Sequence, residues 1–448
     1  MRTRLLVALA LGTLAPAQGE LAKAKQALAQ AEELLAHGQY TRAVEAYRDI
    51  QKRWPRTEPG VIAQLRSQPN SCLGRTPLQL GGRSDNRIDI VVMGDGFTLD
   101  KQNAFADLAK SIPKNFARDP VLEEYIDYHN FWQAFVVSKE EGIDGFNRKY
   151  DTALNGYMID GSHEQAAVDH AAVHKMLNIV GETDGLAIVF VRAGHLGTGG
   201  GGVAVIGGRE DDTVIHEWGH AFAGLADEYI DQVYSGHAGS GINVSGTGDP
   251  KKVPWRHWLE AKAPGIGVYE GAAGMQRGAW KATTGGCVME RGRYFCPICR
   301  EAVVLAIYRR VDPIDGTKPE PDAELLGGKE QPAITFDLLR PHTHGLELRC
   351  WVFAAGSEPP AVPPGGADRS RRGALAPIKH APDYAVPNAG KQVKWLVPIS
   401  ERPPGKYVIV CRVRDSTKVE RDTLPWVMKD EQGVLESERR WRLVVEKN

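Results

Sequence analysis

No sign of charge dominates this chain. Its 448 residues carry 55 basic and 56 acidic side chains, a formal net charge of −1. That balance gives no reason to expect nucleic acid or an anionic membrane as the main partner. Long apolar runs are also missing: beyond the first residues no segment is apolar for long enough to span a bilayer, so membrane insertion is not expected. Cysteine is scarce, with six in the whole chain. What is present is ordinary globular composition, 42% hydrophobic and 25% charged, in a chain long enough for two or three domains.

The first residues read as an address label. Arg2 and Arg4 precede an apolar stretch from Leu5 to Leu14, and Ala15-Pro16-Ala17 supplies a small-x-small cleavage site. The expectation is a signal peptide over residues 1–17 and a secreted or periplasmic product. Outside the cytosol thiols tend to pair. Cys350 and Cys411 lie in strand-like runs and are expected to bridge two sheets, while Cys72, Cys287, Cys296 and Cys299 allow three connectivities. Cys287 with Cys296-Pro-Ile-Cys299 could instead form a second zinc site, but no fourth ligand is evident, and disulfides are the expectation.

Helical spacing of Leu21, Ala24, Leu28, Ala31 and Leu35, a break at Gly38, then Tyr40, Ala43, Tyr47 and Ile50 predict a helical hairpin over residues 20–56. Its pattern resembles one tetratricopeptide repeat, which cannot bury its own face and is expected to pack on a neighbour or make a protein contact. Strands are predicted at Ile88–Met93, Phe131–Val137, Leu186–Val191 and Val203–Ile206, with a helical pattern through Ala104, Leu108, Ile112 and Phe116. Strands alternating with helices predict a sheet covered by helices, in a domain spanning residues 72–312. Prolines and glycine mark residues 313–332 as a linker. Residues 333–448 hold five further strand-like runs and are expected to form a β-sandwich of immunoglobulin or fibronectin type, a second surface for protein contact.

One segment carries chemistry. In Arg209-Glu-Asp-Asp-Thr-Val-Ile-His-Glu-Trp-Gly-His220, acids open a helix where its dipole favours them. His216 and His220, four apart, project from one face and suit two nitrogen ligands on Zn2+. Glu217 is placed to act as general base on a zinc-activated water rather than as a ligand. A third protein ligand is still needed. Gly224 can end the helix and turn the chain, delivering Asp227, the choice for third ligand, with Glu228 its rival. The carboxylate not used would hold a histidine from behind.

The run His216-Glu-Trp-Gly-His-Ala-Phe-Ala-Gly-Leu-Ala-Asp-Glu-Tyr229, with Cys287-Val-Met289, Phe295-Cys-Pro-Ile-Cys299 and the Gly94-Asp-Gly-Phe97 turn, resembles the bacterial metallopeptidases named after an IgA-cleaving protease. The similarity runs from about Arg87 to about Ile307. It implies an α/β zincin of metzincin-like fold, zinc on His216 and His220, and Glu217 as the catalytic residue. It also suggests Met289 as the methionine turned under the metal. No residue carries the IgA specificity across. Tyr229 or Tyr294 could serve the oxyanion. The glycine run Gly197-Thr198-Gly199-Gly200-Gly201-Gly202 lacks the lysine of a phosphate loop; the strand after it, Val203–Ile206, is expected to edge the cleft, with the glycines letting a substrate backbone come close. The leading expectation is a secreted zinc endopeptidase acting on protein or peptide. A non-catalytic adhesion protein on the same scaffold, or an amidase acting on cell-wall peptide, are the other readings.

Overall fold

Strands covered on both faces read as unbroken apolar runs, whereas one-sided strands alternate. The computed structural model describes residues 18–145, 147–159, 165–181, 183–192, 197–207, 211–231, 241–328, 330–362 and 368–446. The expected signal peptide, Arg209 and Glu210 lie outside these residues. The main sheet contains β1 (Ser71–Leu80), β2 (Ile88–Asp95), β3 (His129–Val137), β4 (Leu186–Val191), β5 (Thr198–Gly200) and β6 (Val203–Ile206). Their order is β1-β3-β2-β4-β6-β5, with β3, β2, β4 and β6 parallel and an antiparallel strand at each edge. Every residue of β2, β4 and β6 is buried.

Alternation along those strands sorts their side chains between two cores. Ile90, Val92, Ile188, Phe190, Ala204 and Ile206 face one core. Val91, Met93, Ala187, Val189, Val203 and Val205 face the other. Before the sheet come α1 (Gln18–Ala36), α2 (Tyr40–Arg53) and α3 (Glu58–Arg66). The first core also receives α4 (Gln102–Ala109) and α5 (Ile112–Phe116); α6 (His170–Val180) closes the second, and α7 (Asp211–Ala223) and α8 (Pro297–Tyr308) return to the first.

The helical segment runs past residue 56. Thr57 caps α3 by accepting from the Gly60 amide at 3.1 Å, and buried Arg66 pairs with Glu32 at 2.6 Å, tying α3 to α1. Tyr40 packs on Phe135 of β3 with ring centroids 5.0 Å apart, so α2 leans on the main sheet.

A small sheet follows, made of β7 (Val244–Ser245), β8 (Tyr269–Ala272) and β9 (Met275–Lys281). The C-terminal region holds β10 (Ile314–Lys318), β11 (Glu324–Gly327), β12 (Ala333–Leu338), β13 (Leu346–Ala354), β14 (Tyr384–Ala389), β15 (Gln392–Leu396), β16 (Gly405–Asp415) and β17 (Glu436–Val445). They form a three-stranded sheet, β10-β12-β15, and a five-stranded sheet, β11-β17-β16-β13-β14, around one core.

Two expectations are corrected here. Residues 313–332 are not a linker: β10 pairs with β12, β11 pairs with β17, and Ile314, Thr317 and Leu325 are buried. Pro313, Pro319 and Pro321 flank these strands instead of interrupting them, so no ladder amide is lost. Cys350 and Cys411 do not bridge two sheets. They sit directly opposite each other on β13 and β16 of one sheet, both as buried free thiols.

The C-terminal sheets are joined to the helices and sheet before them. Arg87 grips Asp315 through two bonds of 2.8 and 2.9 Å, and the Tyr125 and Tyr308 hydroxyls both donate to Asp415 at 2.7 Å. Among the described residues no helix is long and apolar enough to cross a membrane.

Candidate metal centre

Helix α7 has two characters. Val214, Ile215, Trp218 and Phe222 are buried, with the Trp218 and Phe222 rings stacked 4.9 Å apart and Phe116 of α5 5.4 Å from Trp218. That side anchors the helix in the core. The opposite side presents His216, Glu217 and His220 to a cleft of 410 Å3. Gly224, at φ +65°, ends the helix in the left-handed conformation that glycine adopts without strain. The Gly224 amide donates to His220 O and the Leu225 amide to Gly219 O, each at 3.2 Å, which closes the last turn and sends the chain back toward the cleft.

Three atoms then converge. His216 Nε2, His220 Nε2 and Asp227 Oδ1 stand 3.1 Å from one another on every edge of their triangle. Each imidazole is oriented from behind: His216 Nδ1 lies 2.9 Å from Val288 O, and His220 Nδ1 lies 2.6 Å from Leu225 O. A carbonyl only accepts, so both Nδ1 atoms carry the proton and both Nε2 lone pairs point inward. Two lone pairs and a carboxylate oxygen at such spacing repel unless a cation joins them. Ligands about 2.0–2.1 Å from a tetrahedral zinc stand roughly 3.3 Å apart, and the triangle matches that.

The electrostatics agree. Burial opposes charge on His216, yet its bond to Asp227 and the nearby Glu217 hold its pKa up at about 8. Burial pushes the Asp227 carboxyl up, but the two imidazoles hold it well below the usual carboxylate range. A field that favours imidazolium favours a metal cation equally. Glu217 is only 6% exposed, and burial pushes its carboxyl up to about 7 against the pull of His216 and His220. It lies in the cleft wall beside the triangle, within the setting of a general base.

The two rival carboxylates face different ways. Asp227 joins the triangle, whereas Glu228 is fully buried and takes a bond from Asn243 Nδ2 at 2.9 Å, with Cys299 Sγ at 3.1 Å. The expectation that the spare carboxylate steadies a histidine is therefore corrected: backbone carbonyls of Val288 and Leu225 do that. Met289 is fully buried against α7, where a Cβ on Gly219 would stand 2.8 Å from its sulfur. Tyr229 lines the cleft and stacks on His216 with centroids 6.2 Å apart; Tyr294 is 42% exposed and outside the lining.

The cleft edge also differs from expectation. Val203–Ile206 is an inner strand, and the sheet ends on β5, three residues of the glycine run itself. Gly199 is pressed against α7: a Cβ there would come within 2.3 Å of Glu217 O and 2.8 Å of His220 Cβ. The free cysteines bring a further correction. Cys72 lies in the second core, away from the others, while Cys287, Cys296 and Cys299 cluster around Glu228 with no bond between sulfurs. The carbonyls that hold the histidines have no signature in a sequence, since every residue carries one.

A mixed α/β domain with two histidines four apart on a helix, a carboxylate just beyond its end and a buried glutamate beside them is an arrangement that metallopeptidases use. Residues 76–266 match the model of the IgA peptidase M64 family, the same family that the zinc segment resembles. The match runs from the middle of β1 to just before β8, and with it takes in α7 and Asp227, but stops short of Met289 and the cysteines from Cys287 onward. No curated protein matches the chain.

Proposed function

We propose that the chain is a secreted zinc endopeptidase that hydrolyses peptide bonds, with His216, His220 and Asp227 holding the metal and Glu217 as general base. The observation that supports it most directly is the inward turn of two Nε2 lone pairs onto Asp227 Oδ1 at 3.1 Å, each ring oriented by a carbonyl. Zinc held there supplies a Lewis acid and lowers the pKa of a water toward ~7.

The chain's own groups do the rest. Glu217 takes the proton of the attacking water and passes it to the leaving amine. Its burial keeps that carboxyl near neutrality, where it can both accept and release a proton. Tyr229 is the better of the two tyrosines to meet the developing oxyanion, since burial, with Asp227 beside it, holds its phenol protonated. The described residues place no further strand beyond β5, so an extended substrate can add along that edge.

We read the sheet and α7 as a metzincin-like zincin, the paired sheets after residue 313 as a β-sandwich, and α1–α2 as a helical hairpin. The last two are surfaces for protein contact. Export rests on the first residues of the sequence alone.

Glu217→Gln keeps the shape and removes the base. Purified variant and parent should bind equal zinc by elemental analysis. Peptide-library hydrolysis should fall by about 10²–10⁴-fold in the variant. Unchanged turnover in Glu217→Gln, or a parent protein free of metal at the histidines, overturns the proposal. Cleavage of cell-wall peptide alone would transfer it to an amidase.

A further inference from the structure

Three of the chain's six cysteines meet where no catalytic role uses them. Cys287 lies just ahead of the Val288-Met289 turn; Cys296 and Cys299 flank the first turn of α8, two thiols delivered from one C-x-x-C step. Cys287 Sγ and Cys299 Sγ are 3.6 Å apart. Glu228 Oε1 is 3.1 Å from Cys299 Sγ and 4.0 Å from Cys296 Sγ. All four ligand atoms fall within 4.8 Å of one another, and none of the four residues is more than 6% exposed.

These spacings fit an ion better than a covalent bridge. A disulfide needs about 2.05 Å between sulfurs. Zinc with sulfur at about 2.3 Å and oxygen at about 2.1 Å sets tetrahedral edges of roughly 3.8 Å between sulfurs and 3.6 Å from sulfur to oxygen. The observed values scatter around those edges. The Cys296 amide also donates to Cys287 Sγ at 3.4 Å, the kind of backbone support that a coordinating thiolate receives.

We propose that Cys287, Cys296, Cys299 and Glu228 bind a second, structural zinc ion. Glu228 is the fourth ligand that the cysteine spacing alone does not reveal. The site is closed, with three thiolates and one carboxylate leaving no position for substrate, which separates it from a catalytic centre. Its position gives it a task. Glu228 adjoins Asp227, and its amide donates to Met289 O at 2.7 Å. Cys287 adjoins Val288, whose carbonyl orients His216. The ion ties the return segment, the methionine turn and the start of α8 into one frame behind the catalytic triangle. That last consequence rests on the reading of the triangle as the catalytic site; the second ion does not.

Full-length protein purified without chelator should carry about two zinc ions per chain, and His216→Ala/His220→Ala about one. The ion left in the double variant should be released to a chromogenic chelator only when an organomercurial blocks the thiols. Cobalt in its place should show thiolate charge-transfer absorption. The organomercurial titration of the parent protein reads the same site if the double variant does not fold. Glu228→Ala should lose the second ion and bind the catalytic one at least tenfold more weakly. Iron in place of zinc, a double variant with no ion, no thiol-dependent zinc in the parent, or a disulfide among the three cysteines in unreduced peptide maps overturns the proposal. A parent protein that carries a single thiol-held ion, unchanged in the double variant, would instead sink the catalytic reading and leave this one standing.

Discussion

Two neighbouring glycines in β5 should respond oppositely to the same methyl group. At Gly199 a Cβ would stand 2.3 Å from the backbone oxygen of Glu217 and 2.8 Å from His220 Cβ; at Gly200 nothing lies within 4 Å. Neither has a positive φ, so alanine meets no backbone strain at either site. Gly200→Ala should gain about 0.4–1 kcal/mol by restricting the unfolded chain. Gly199→Ala gains the same entropy but must push β5 off α7, because the obstructing atom is backbone and cannot rotate away. Overpacking of this kind costs about 1–3 kcal/mol, leaving a net loss of about 1–2 kcal/mol. The displaced atoms belong to Glu217, the proposed base, and His220, a proposed metal ligand, and a shift of about 1 Å at such a site can cost about 10²-fold in rate. Calorimetry of the zinc-loaded protein and peptide hydrolysis by both variants measure this. Gly199→Ala should lower Tm by a few degrees and lose far more activity than stability, whereas Gly200→Ala should keep the parent's activity and raise Tm slightly. Equal behaviour of the two variants would refute the packing of β5 against the helix.

Other tests reach further parts of the molecule. Asp95 is buried and accepts from the Leu154 and Gly156 amides at 2.9 and 2.7 Å and from Thr152 and Ser138, so Asp95→Ala should cost about 3 kcal/mol or more in urea unfolding by stranding these donors; a loss under about 1 kcal/mol would contradict that accounting. His344 sits 2.9 Å from Glu124 and 2.8 Å from Asp415, and although burial opposes its charge the two carboxylates hold its pKa up at about 9. A folded value above the unfolded ~6.5 means the stabilisation is complete below that pH and is lost as pH rises through about 9, roughly 3 kcal/mol in all; His344→Phe should flatten the slope of unfolding free energy between about pH 6 and 10, and an unchanged slope would reject the pairing. Glu124, held down to about 2 despite burial, reports the same contact from the acid side, lost as pH falls from 4.5 toward 2.

Fold legibility followed burial. β4 and β6 begin and end at the predicted residues because both faces are covered and the apolar run stops where cover stops. β1 was unreadable for the opposite reason. Its sequence Ser-Cys-Leu-Gly-Arg-Thr-Pro-Leu-Gln-Leu lies at a sheet edge, and Gly74 and Pro77 fall beside the two breaks in its register with β3. An edge strand tolerates both residues, so the pattern carries no strand signal. Residues 313–332 failed likewise: prolines that punctuate two short strands look the same in sequence as prolines in a linker.

At the site, sequence reached what depends on helical spacing and stopped at what depends on the return of the chain. His216, Glu217 and His220 are brought to one cleft because four residues make about one turn. Beyond Gly224 the spacing could place Asp227 and Glu228 near the triangle but not orient them. The structure turns the two side chains of this dipeptide to opposite sides, Asp227 to the histidines and Glu228 to the cysteines. The segment belongs to no helix, so the spacing that placed the histidines says nothing of which way either carboxylate turns. Two acids in succession are thus not rivals for one role. One backbone segment gives each neighbouring cluster its carboxylate, so a shift that loosens either cluster must be felt at the other.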